Sequence, residues 1–101
     1  MPIPGDLRGW DAMTLLESRP IGIEAEMRLT DAQAVDRRVA LKRRDSELEL
    51  VVLLLPITHW NRSVLAADRE LLRANFPFDT RAMLEAMGAG KAPPGSGIVL
   101  L

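Results

Sequence analysis

Cysteine and tyrosine are absent from this chain, and histidine occurs once, as His59. Without thiols there is no disulfide framework, no thiolate zinc site and no thiol nucleophile. A single imidazole likewise excludes a multi-histidine metal centre. Aromatic residues make up 4% of the chain, so a core has to be built from Leu, Val, Ile, Met and Ala. No apolar run approaches the ~20 residues that a bilayer demands; the longest is Leu48 to Leu55. Met1-Pro2-Ile3-Pro4-Gly5 lacks the basic and apolar segments of a secretory leader. A cytoplasmic protein without membrane contact is therefore expected. An excess of positive charge is missing too. Net charge is −1, which argues against strong, autonomous binding to nucleic acid.

What is present is enough apolar material for one core: 48% of 101 residues. That predicts a single folded domain over residues 1–101, in keeping with a fragment or C-terminal domain of something larger. Residues 7–16 read as a strand, and Glu17-Ser18-Arg19-Pro20 as a turn, with Pro20 suited to a strand entrance. Over 21–29 the apolar residues Ile21, Ile23, Ala25, Met27 and Leu29 alternate with Gly22, Glu24, Glu26 and Arg28. This period of two predicts a strand with one apolar and one charged face.

Thr30, with Gln33 three residues on, predicts a helix start by a capping box. Ala32, Val35 and Val39 form its apolar stripe, and Arg37, Arg38, Lys42, Arg43 and Arg44 fill much of the rest. The unbroken run Leu48–Leu55 predicts a strand buried on both faces. Thr58 caps a helix over roughly 59–74, and Asp79 or Thr80 a short helix ending at Gly88. Gly88 to Gly97 is a loop and Ile98–Leu101 a last strand. The order β-β-α-β-α-α-β predicts an α/β fold, a mixed sheet with flanking helices.

The chemistry is concentrated in three acids. Side chains two apart on a strand share a face, so Glu24 and Glu26 project together. A hairpin that sets Asp11 opposite Glu24 brings three carboxylates together, a donor set suited to Mg²⁺ or Mn²⁺. A one-residue slip would send Asp11 to the other face. The alternative is that Glu24, Glu26 and Arg28 are the solvated face of an amphipathic strand. The helix that follows offers a positive ridge, Arg37, Arg38, Lys42 and Arg43, of the kind that meets phosphates rather than reading bases. Its alternative is a solvated face moderated by Asp31, Asp36 and Asp45. No aromatic residue interleaves these cations, which argues against single-strand stacking there. His59 stands at a helix start after a buried strand, where anions gather; a capping or packing role is the alternative. Trp60 is a candidate interface residue. The Gly90-Lys91 and Gly95-Ser96-Gly97 loop lacks the spacing of a phosphate loop.

Asp11 on one strand, Glu24-Ala25-Glu26 on the next and an αβ unit behind them resemble the core of the PD-(D/E)xK, or restriction-endonuclease-like, superfamily. More of the chain is similar to the C-terminal region of actinobacterial regulators that carry an N-terminal helix-turn-helix. That second likeness rests on Pro4 to Ala12, Gly22 to Leu29 and Leu41-Lys42-Arg43-Arg44-Asp45. The resemblance implies a restriction-endonuclease-like core and Mg²⁺ held by Asp11 and Glu24. It also implies that the lysine position of the motif falls on Glu26. Lys42, on the following helix, is the candidate to take the lysine's part. The function implied is a nuclease-like domain of DNA-binding or transcriptional machinery, a Mg²⁺-dependent phosphodiesterase if active, with DNA as a weakly bound partner. A non-catalytic assembly or ligand-sensing module, possible as a homodimer, is the alternative.

Overall fold

A computed structural model describes residues 10–101; the Pro4–Gly9 part of the first motif and the start of the strand expected over 7–16 lie outside them. Eight elements follow in the order β1 (Ala12–Leu16), β2 (Arg19–Ala25), α1 (Ala32–Ser46), β3 (Leu50–Leu55), α2 (His59–Ala67), α3 (Arg69–Arg73), α4 (Thr80–Gly88) and β4 (Gly97–Leu100). The strands form one mixed sheet in the order β1-β2-β3-β4. β1 runs antiparallel to β2, while β2, β3 and β4 are parallel. The expected α/β class and mixed sheet are present.

β1 and β2 make a tight hairpin. Only Glu17 and Ser18 turn, both with positive φ (52° and 64°), and Leu16 already pairs with Arg19. Positive φ at both central residues is the signature of the turn whose twist matches a hairpin. The Glu17 carboxylate accepts a bond from the Ala92 amide at 2.7 Å, tying the turn to the loop before β4. The four-residue turn expected from Pro20 is thus shorter by two, because Pro20 sits in β2 just before pairing with β3 begins at Ile21.

β3 is central and buried on both sides, as its apolar run predicts: Val51 and Val52 point to opposite faces and both are shielded. On one face Val51, Leu53 and Leu55 meet Val35 and Val39 of α1 and Leu72 of α3. On the other, Ile21, Leu50, Val52 and Val99 meet Met83 of α4. At roughly 25 cal/mol per Å² of apolar surface, these two clusters supply most of the drive to fold. Gly22 makes room on the first face, since a Cβ there would lie 2.9 Å from both Leu48 Cδ1 and the Trp10 ring.

Helix ends follow local chemistry. Asp31, not Thr30, caps α1 by accepting the Ala34 amide at 3.1 Å. A carboxylate cap beside the helix N-terminus displaces the expected box with Gln33. Thr58 caps α2 and Asp79 caps α4, both as expected. The helix predicted over 59–74 breaks at Asp68 into α2 and α3. No helix of the described residues is long and apolar enough to cross a membrane.

Candidate charged centre between β2 and α1

The alternating pattern of β2 has its polar positions on the face that α1 covers. Gly22 and Glu24 lie beside Val51 and Leu53 of β3, so Glu24 points into the larger apolar cluster and keeps only 4% of its surface exposed. The expectation of a solvated charged face is therefore corrected at Glu24. An ionised carboxylate in such a place is costly unless paired. Lys42 supplies the partner: its Nζ donates to Glu24 Oε2 at 2.7 Å and to Oε1 at 3.0 Å. One residue pair further along, the Arg38 guanidinium forms an ion pair with Glu26 and lies 3.9 Å from Glu24 Oε1.

Helical spacing explains how α1 does this. Arg38, Lys42 and Ser46 recur every four residues, so they form one stripe beside the apolar stripe of Val35 and Val39. Ser46 is buried; its hydroxyl donates to the Lys42 carbonyl at 2.6 Å and accepts from the Trp10 indole at 2.9 Å. The Lys42 ammonium stands 5.9 Å from the centre of the Trp10 ring, within cation–π range. Glu24 and the Trp10 ring thus meet the Lys42 ammonium, while Ser46 ties the Trp10 indole to the Lys42 backbone.

Asp11 precedes β1. The ladder begins with Ala12 against Ile23 and Asp11 lies outside it, so the expected pairing of Asp11 with Glu24 is not one of its pairs. The Asp11 amide donates to Ile23 O at 3.1 Å, and its carboxylate Oδ2 accepts the Ala25 amide at 2.9 Å. Asp11 itself is exposed. The three carboxylates do not merge into one ligand cluster: among the described residues no group of three or more acids or histidines is placed to hold a metal ion. Each acid instead has its own protein partner, Ala25 for Asp11, Lys42 for Glu24 and Arg38 for Glu26. Both Glu24 oxygens are engaged by Lys42, so the arrangement is a set of paired charges rather than an open ligand set.

The other sequence candidates separate. In the positive ridge, Arg38 and Lys42 turn toward β2, and Arg43 Nε donates to the Leu48 carbonyl at 3.2 Å. Arg37 is left exposed on the outer side of α1. His59 is exposed at the first position of α2 and takes no part in the charged centre.

Sequence reasoning missed Asn61. It is fully buried, accepts the Leu29 amide at 2.8 Å, and donates to the carbonyls of Met27 (3.2 Å) and Pro56 (3.0 Å). It locks the segment after β2 to the start of α2. A polar residue between Trp60 and the apolar positions of an amphipathic helix was the available signal.

Compared with known proteins, the chain matches no family model, no curated protein and no solved structure.

Proposed function

We propose that this chain is a nuclease-like domain of DNA-binding or transcriptional machinery, with a restriction-endonuclease-like core and the Asp11–Glu24–Lys42 set as its centre. The observation that carries the reading is the 2.7 Å contact of Lys42 with Glu24. It supplies a lysine from the helix where the strand motif has Glu26. The β-β-α-β order, with Asp11 just before β1 and Glu24 on β2, supports the same reading. Mg²⁺ at Asp11 and Glu24 would polarise a phosphodiester and make a bound water more acidic. Lys42 would then orient that water or carry its proton, with Arg38 pairing Glu26 beside it. Purified protein should nick supercoiled plasmid in Mg²⁺ or Mn²⁺, and Lys42→Ala should not.

One observation favours a second reading, a non-catalytic assembly or ligand-sensing module of a regulator. All three acids already have partners within the chain, so the centre serves as a latch between β2 and α1. On that reading the plasmid stays intact with either ion, and the wild-type and Lys42→Ala proteins differ in stability alone.

A further inference from the structure

The parallel strands β2, β3 and β4 all end on one side of the sheet, and a second group of residues gathers there. Trp60, in the first turn of α2, keeps 43% of its surface exposed although it is an indole. It is not loose: its Nε1–H donates to the Leu29 carbonyl at 2.9 Å, and the neighbouring Asn61 bonds fix both segments that meet there. The Arg28 guanidinium lies over its ring at 3.9 Å from the centroid. His59 and Arg62 are exposed in the same turn, which contains no acidic residue. Met27 beside Arg28 is 80% exposed. The result is a rigid aromatic surface, flanked by cations, at the end of the strand that carries Glu24.

We propose that Trp60 and Arg28 form a docking platform for single-stranded polynucleotide. A nucleobase stacks on the exposed indole and extends the Arg28–Trp60 pair, while Arg28, His59 and Arg62 face the phosphates. Base–aromatic stacking tolerates any sequence, because every base has a π-face. A flexible exposed tryptophan would pay entropy on binding; this one is already held by its indole N–H. The platform also explains how a chain of net charge −1 binds a polyanion, since the cations cluster locally around an aromatic surface. The inference rests on the DNA-directed reading above but not on its metal, so it is tested in EDTA.

The chain has two tryptophans, and hence two indole N–H signals in an NMR spectrum. Titration with an oligothymidylate of about ten nucleotides at low salt should move the Trp60 signal and leave that of Trp10 in place. Trp60→Ala should weaken binding roughly tenfold. Arg28→Ala, which removes no hydrogen bond of the indole, should weaken it as well and lower the salt slope by about one. Should Trp60→Ala fail to fold, Arg28→Ala and Trp60→Phe decide the matter, Phe retaining most of the affinity. An unmoved Trp60 signal overturns the proposal. So does equal binding of a duplex by wild type and Arg28→Ala, which would mean backbone contact elsewhere. Concentration-dependent movement of Trp60 without oligonucleotide, and none with it, marks a protein interface and overturns it too.

Discussion

On the α4 side of the sheet the interior is apolar throughout: Ile21, Leu50, Val52, Met83 and Val99. On the α1 side Val51, Leu53 and Leu55 share their interior with the carboxylate of Glu24. Both faces are covered by helices, yet among the described residues only one carries a buried charge. Packing accounts for the first face completely. For the second it does not, because apolar residues of similar volume in place of a buried ion pair are usually as stable or more so. A position where local chemistry departs from the pattern around it is where function is to be sought.

The comparison breaks most visibly on the apolar face. Met83→Ala should cost about 2–5 kcal/mol through lost transfer energy and the cavity left behind, read from urea unfolding. On the charged face Lys42→Met should cost about 2–3 kcal/mol, since it leaves Glu24 buried and unpaired; the 26% exposure of the Lys42 side chain keeps the loss below that of a fully buried pair. Adding Glu24→Leu to Lys42→Met should return stability to near the wild-type value, whereas a face that depended on its charge for folding would lose more. Asp31→Ala, which removes only the cap of α1, should cost about 1 kcal/mol. At the exposed rim, Arg19→Ala breaks the 3.2 Å pair with Glu49, and its effect should stay below about 0.5 kcal/mol.

The sequence was most legible where a single period governs. The run Leu48–Leu55 read as a strand covered on both sides and holds β3 at Leu50–Leu55; Thr58 caps α2 as expected, and of Asp79 and Thr80 it is Asp79 that caps α4. The hairpin was legible as two neighbouring strands, but the expected pairing of Asp11 with Glu24 was not, because the ladder begins one residue later, at Ala12. The orientation of β2 was not, because alternation separates two faces without saying which of them a helix will cover. Neither the solvated alternative for Glu24 nor the ridge reading of Arg38 and Lys42 showed that side, although the spacing of Arg38 and Lys42 with Ser46 marks one stripe. Trp60 and Arg28 are far apart in the chain, and the Asn61 bonds and the Trp60 indole bond to Leu29, which join the segment after β2 to α2, bring them together.

The central claim is that Asp11 and Glu24 serve an ion and not merely a latch. It is tested most directly by thermal unfolding in rising Mg²⁺, with wild-type protein and Asp11→Asn side by side. An ion bound only by the folded state adds about 1.4 kcal/mol at tenfold excess over its dissociation constant. In a domain of this size each kcal/mol raises the midpoint by about 4–8 °C. The account predicts a rise of that order in the wild type, continuing with the logarithm of Mg²⁺ concentration above the dissociation constant, and none in Asp11→Asn. Identical curves for the two proteins, or a wild-type midpoint that Mg²⁺ leaves unmoved, would contradict it.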